Sequence, residues 1–146
     1  MPIGEEVELR GPTGDIIYQG HGKFSIYGEE KKFKRVSLVL GGTGLTPGYS
    51  LIARVCLTPN DKTELKVIDA NKGGGDIVLR LNREDSRKGA KGLKGHVTED
   101  IIHDHLFPPI EDNMVLLCGP PTMIQKAVVP RLEKWGYSHD KNMFGL

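Results

Sequence analysis

Two segments, Val36-Ser37-Leu38-Val39-Leu40 and Met114-Val115-Leu116-Leu117, are almost continuously apolar. That pattern predicts strands buried on both faces of a parallel sheet. Leu65-Lys66-Val67-Ile68 predicts a third strand. Between the first and third, Leu51, Ile52 and Val55 are spaced for the inner face of a helix. Thr46 is placed to cap that helix and Pro47 to be its first residue. It should end near Thr58-Pro59-Asn60-Asp61. Thr98 caps a second, short helix with Ile101, Ile102 and Leu106 on its apolar side, closed by Phe107-Pro108-Pro109. A last helix turns Met123, Ile124, Ala127, Val128, Leu132 and Trp135 inward and stops at Gly136. Pro130 lies inside it and should kink it or split it in two, because proline has no N–H to donate. Strands alternating with helices specify an α/β fold, a parallel sheet flanked by helices with right-handed crossovers.

The N-terminal part has the other periodicity. Val7 and Leu9 alternate with Glu6, Glu8 and Arg10, Ile16-Ile17-Tyr18 continues as β structure, and residues 24–27 form another short candidate strand. Gly11-Pro12-Thr13-Gly14 and Gly20-His21-Gly22 are the turns between them. This is an antiparallel meander with too few strands to close a barrel. Lys31-Lys32-Phe33-Lys34-Arg35 reads as a basic connector into the α/β part. Gly73-Gly74-Gly75 holds no regular element, and Asn82 to Lys94 is polar without a period, which predicts a mobile loop.

Charge and composition narrow the function. There are 20 Lys and Arg against 19 Asp and Glu, which argues against a nucleic-acid binder or an acidic disordered chain. No apolar run approaches the roughly 18–20 residues of a membrane helix, and Met1-Pro2-Ile3-Gly4-Glu5-Glu6 has neither the basic end nor the apolar stretch expected of a signal peptide. Two cysteines, Cys56 and Cys118, make no disulfide framework, so a reducing compartment, the cytoplasm, is the expected location.

The 19 glycines bear most on chemistry. Gly41-Gly42-Thr43-Gly44-Leu45-Thr46-Pro47 follows the first buried strand, and Cys118-Gly119-Pro120-Pro121 follows the last. Ligands of parallel α/β sheets bind at these carboxyl ends, beside helix N-termini. Glycines let backbone approach a ligand, and a helix start offers free N–H groups and a positive dipole end, which suits a pyrophosphate. A tight strand-to-helix turn with no ligand has the same pattern. Cys118, at a strand end before a helix, is either an accessible thiol whose thiolate the dipole favours or a small buried hydrophobe.

Together the two loops resemble the NADH-binding lobe of the cytochrome b5 reductase family, a branch of the ferredoxin–NADP+ reductase superfamily. Further segments agree. Residues 4–14 resemble the last strands of the family's FAD barrel. Asp69-Ala70-Asn71-Lys72 and Asp76-Ile77-Val78-Leu79-Arg80 resemble its Ala-Asn and Asp-Ile-Leu-Leu-Arg segments. Gly95-His96-Val97-Thr98-Glu99 and residues 130–137 resemble its Gly-Phe-Val-Thr-Glu segment and its closing helix. Phe24-Ser25-Ile26-Tyr27-Gly28 with the basic connector is most similar to the FAD/NADH reductase portion of eukaryotic nitrate reductases.

The resemblance implies a Rossmann-like NAD lobe over residues 31–146, with residues 1–30 a short antiparallel remnant of an FAD-binding barrel. It implies NADH as cofactor, FAD as hydride acceptor, and a haem partner of cytochrome b5 type taking electrons singly. By family, Gly41, Gly42, Thr43 and Gly44 face the dinucleotide phosphates and Thr46 lies near the flavin. Cys118 helps place the nicotinamide, not as a nucleophile, and Gly119, Pro120 and Met123 line the same slot. Pro47 and Asn71 complete the implied cofactor-binding set.

The chain departs from the family in three ways. It lacks the Arg-x-Tyr-Ser/Thr and Gly-Lys-x-Ser motifs that hold FAD. It lacks a helix and a strand after residue 80, roughly 20–25 residues; the sheet must close up, or residues 78–82 must replace the strand. It ends Phe144-Gly145-Leu146 where the family has a terminal aromatic. A truncated domain that binds a partner or nucleotide without hydride transfer is the alternative, and a thiol-redox protein using Cys118 is a weaker one. The basic run 31–35 is a solvated linker or a dock for an acidic haem domain. His103-Asp104-His105 is a solvated helix end and not a metal site, since residues two apart do not share a helix face. Ser138-His139-Asp140 is no triad, because adjacent positions cannot take the three roles.

Overall fold

The structure is a computed structural model that describes residue 4 and residues 14–70, 76–81, 91–93 and 96–146. The strands are β1 (Ile16–Gly20), β2 (Lys23–Ile26), β3 (Glu29–Lys32), β4 (Arg35–Gly41), β5 (Glu64–Ala70), β6 (Asp76–Leu81), β7 (Lys91–Leu93), β8 (Asn113–Cys118) and β9 (Met143–Gly145). The helices are α1 (Leu45–Leu57), α2 (Glu99–His105) and α3 (Val129–Trp135).

β4 to β9 form one sheet in the order β7-β6-β5-β4-β8-β9. β5, β4 and β8 run parallel, as the apolar runs predict; the short β9, which they do not predict, adds parallel to β8, β6 pairs antiparallel with β5, and β7 antiparallel with β6. β6 therefore stands beside β5 where the family's further parallel strand is missing. Replacement, not closing up, is how the sheet accommodates the shorter chain. Lys91–Leu93 pairs with β6, so part of the stretch expected to be a loop is strand. The remainder of that stretch, the Gly73-Gly74-Gly75 run and the predicted Val7 and Leu9 strand lie outside the described residues.

The sheet separates two cores. On one face Val36, Leu38, Leu40, Leu65, Val67, Met114 and Leu116 pack under Leu51 and Val55 of α1. On the other, Val39, Ile68, Val115 and Leu117 pack under Ile102 of α2, Leu132 of α3 and Val128 just before α3. A helix on each side lets strands of this composition be apolar on both faces.

β1, β2 and β3 form a separate antiparallel sheet. The connector read at residues 31–35 is corrected here. Lys31 and Lys32 belong to β3, paired with Phe24 and Lys23, and Arg35 begins β4. Backbone pairing to β2 holds this polar Glu-Glu-Lys-Lys strand, so no apolar alternation announces it. Phe24, Ile26 and Phe33 join the core of the larger sheet, with Phe33 edge-on to Phe144.

Three helix boundaries follow from local chemistry. A single 3₁₀ turn, Gly42–Gly44, runs straight into α1, so the helix begins at Leu45 with Gly44 as its cap. Thr46 is thus the second helical residue and not the cap, and Pro47 is the third and not the first. Thr98 caps α2 as expected, its hydroxyl accepting from the Ile101 N–H at 3.3 Å. The last helix runs unbroken from Thr122 to Trp135, so the expected split does not occur; Thr122–Val128 is wound wide, with i to i−5 bonding, and the change to α3 just before Pro130 makes room for its ring.

Candidate functional site

β4 leads through α1 to β5 on one side, while β8 lies on its other side. The carboxyl ends of β4 and β8 therefore flank the point where the strand order reverses, the position at which open α/β sheets form their ligand crevice. Leu40 and Cys118 are paired in register, so both glycine loops leave the sheet at the same level.

The glycines do two different jobs. A side chain on Gly44 would run into the Cys118 carbonyl carbon and, at 3.0 Å, the Gly119 nitrogen. One on Gly119 would lie 3.1 Å from the Gly41 nitrogen and 2.8 Å from Met123 Cε. One on Gly41 would meet Met123 Cε at 2.6 Å and Pro120 Cδ at 3.2 Å. Gly41, Gly44 and Gly119 thus let the two loops touch backbone to backbone, with the Met123 side chain filling the seam. Gly42 is different. It has φ +55°, is exposed, and has nothing within 4 Å of where a side chain would start. Gly42 and the exposed Thr43 form the open rim of the first loop, at the start of the 13-residue α1. Thr46 and Pro120 are exposed, and Pro47, Cys118, Gly119 and Met123 are half-buried around the same seam. All the expected site residues except Asn71, which lies outside the described residues, come from these two loops and the helices that follow them.

Burial pushes the Cys118 thiol above its ordinary value. Of the two readings of Cys118, this desolvation fits the small apolar one and not a thiolate favoured by a helix dipole. Cys118 therefore offers a small, soft, uncharged surface, which weakens the thiol-redox reading.

Other expected features are committed elsewhere. Lys34 pairs with Asp112 at 2.8 Å, Arg35 with Glu64 at 3.2 Å, and Lys31 sits 5.2 Å above the Phe144 ring, so most of the basic run serves internal contacts. Phe144 is buried against Phe33. His103 stacks on Trp135 at 4.4 Å between ring centres. Among the described residues no group of His, Cys, Asp or Glu is placed to hold a metal, and no helix is long and apolar enough to cross a membrane.

Sequence reasoning missed one polar centre. Asp61, buried in the α1–β5 turn, accepts from the Tyr18 hydroxyl, the His21 N–H at 3.0 Å, the Thr63 N–H at 3.0 Å and the Thr63 hydroxyl at 2.6 Å. The Gly22 N–H donates to the Tyr18 oxygen at 3.1 Å. This joint ties the antiparallel sheet to the α/β part. Nothing in the local sequence signals a partner 43 positions away.

Residues 78–128 match the oxidoreductase NAD-binding domain family. NADH-cytochrome b5 reductase 3 of Rattus norvegicus is 37% identical, over 97% of this chain and 54% of its own length. The NADH nitrate reductase of Solanum lycopersicum is 37% identical, over 94% of this chain and 17% of its own length. That match extends over 155 residues against the 146 present here, so the relative carries residues that this chain lacks. In three dimensions the cytochrome b5 reductase domain of Ulva prolifera nitrate reductase superposes with a TM-score of 0.81 at 29% identity, covering 98% of this chain and 63% of that one. The chain spans about half of the rat reductase and about a sixth of the tomato enzyme. With both glycine loops, the flanked parallel sheet and these relatives agreeing, the chain is similar over nearly its whole length to the NAD-binding part of the cytochrome b5 reductases and nitrate reductases.

Proposed function

We propose that this chain holds NADH across the two glycine loops and presents its nicotinamide to a flavin, from which electrons pass singly to a haem partner of cytochrome b5 type. The observation that carries this is the backbone seam between the loops at the reversal point of the sheet. The exposed Gly42–Thr43 rim and the positive end of α1 favour the pyrophosphate. Cys118, Gly119, Pro120 and Met123 make a low, uncharged wall on which a flat ring can lie close to a second ring. Thr46 is exposed in the first turn of α1, which supports its role beside the flavin.

FAD, when bound, supplies the change from hydride acceptance to single-electron release. FAD would meet this chain at the edge of the seam. The antiparallel sheet β1–β3, read as the end of an FAD-binding barrel, is where a flavin lobe would join. That β3 runs to Lys32 supports a boundary near Phe33. The protein acts in a reducing compartment, the cytoplasm, where Cys56 and Cys118 remain thiols.

Calorimetric titration of the purified 146-residue chain with NADH tests the reading. Saturable one-to-one binding is expected. A folded chain that takes up no NADH would overturn it and leave a domain without hydride transfer. Cys118 gives an independent check. In a Cys56→Ser background its alkylation by iodoacetamide should be slow at pH 7 and should accelerate only above pH 9. Cys118→Ser should retain NADH affinity within about threefold, the scale of one lost soft contact. Rapid alkylation at pH 7 would contradict a wall of neutral thiol.

A further inference from the structure

β5 alternates towards α1 with Leu65 and Val67, both in the core, and the next position of that alternation is Asp69. Asp69 is 5% exposed. An ionisable side chain where the pattern calls for an apolar one carries a desolvation cost, and such departures concentrate at functional positions. Its placement gives the function. β5 is the parallel neighbour of β4, and Asp69 pairs with Leu40, one residue before Gly41. Asp69 thus stands at the carboxyl end of the strand that follows the glycine loop and α1. Beyond β5 comes β6, which runs antiparallel to it and begins at this end, so among the described strands β5 is the one next to β4 on that side to present its carboxyl end to the crevice.

We propose that the Asp69 carboxylate accepts hydrogen bonds from the adenosine ribose hydroxyls of the dinucleotide and sets a preference for NADH over NADPH. This rests on the NADH reading above and goes beyond it by assigning the cofactor's discrimination to a residue. A ribose 2′-hydroxyl is a donor that a carboxylate satisfies, whereas a 2′-phosphate brings like charge against it. Asp69 already interacts within the chain, and an ionised carboxylate has about four acceptor positions, enough to serve both partners.

The test is titration of the wild-type chain, Asp69→Asn and Asp76→Asn with NADH and NADPH, with folding checked by circular dichroism. Asp76 begins β6 at the same end of the sheet and is the nearest rival in position. Wild type should prefer NADH by roughly tenfold or more, and Asp69→Asn should remove most of that ratio while Asp76→Asn keeps it. Should Asp69→Asn not fold, NADH lacking the adenosine 2′-hydroxyl provides the same comparison on wild type, with binding expected to weaken roughly tenfold. Equal wild-type affinity for NADH and NADPH, a folded Asp69→Asn chain with an unchanged ratio, a ratio that follows Asp76, or full affinity for the deoxy analogue would each overturn the assignment. Failure of wild type to bind either dinucleotide would overturn the NADH reading as well, so the two failures are distinguishable.

Discussion

Gly44→Val is expected to abolish NADH binding and to destabilise the chain by about 3 kcal/mol, the upper range for forcing bulk into a packed site. The atoms in the way are the Cys118 carbonyl and the Gly119 nitrogen, both backbone. Backbone at the end of a strand central to the sheet cannot rotate aside as a side chain can. Relief must come from parting the two loops, which opens the seam proposed to hold the dinucleotide. Gly42 is the matching control, since nothing lies within 4 Å of its missing side chain. Its cost is conformational only, from φ +55°, a region that asparagine tolerates. Gly42→Asn should therefore lose less than about 1 kcal/mol. Thermal melts and NADH calorimetry on both variants check the contrast. A Gly44→Val chain that melts with the wild type and still binds would show that the loops do not need their contact.

This division of labour marks the limit of what the sequence discloses. The buried strands were legible because Val36 to Leu40 and Met114 to Leu117 leave no polar face, a condition met only between two layers of helix. α1 and α2 were legible from spacing and from Thr98. β3 was not, since its Glu and Lys side chains stay largely in solvent and only pairing with β2 defines it. β9 was not, because three residues are too few to show a period. The beginning of α1 was misplaced by one local rule. Thr46-Pro47 has the chemistry of a helix start, yet the 3₁₀ turn at Gly42–Gly44 had already set the backbone on a helical course. Both loops could be recognised as glycine-rich. Which glycines meet another backbone and which meet open space depends on Leu40 and Cys118 being neighbours, a long-range fact that no local pattern encodes.

The Asp61 joint is the most distant of these long-range facts, and its removal is expected to have the second large effect. Asp61→Ala should lower stability by about 3 kcal/mol, because Tyr18, His21 and Thr63 lose a charged acceptor in a buried place. Amide exchange should accelerate at His21 and Gly22 before it does in β4 and β8, since only the antiparallel sheet is released. The pH dependence has a defined sign. Burial alone would raise the Asp61 pKa, but the Thr63 and Tyr18 hydroxyls and the N–H groups of Thr63 and His21 outweigh it and hold the carboxyl below its ordinary 3.8. A lowered folded-state pKa gives stability that is present above the unfolded value and lost as pH falls through the folded one. The difference in stability between wild type and Asp61→Ala should hold steady from pH 7 to pH 5 and narrow only below pH 3.8. Tyr18 acts at the other extreme. Burial first, then its bond to Asp61, raises its phenol above 10.0, so its contribution is complete below that pH and declines as pH rises past the folded value. Urea denaturation of both proteins between pH 3 and pH 7 decides the matter. A difference that is already small at pH 7, or that stays constant down to pH 3, would mean that the two sheets are held together by the shared core of Phe24, Ile26, Phe33 and Phe144 and not by this carboxylate.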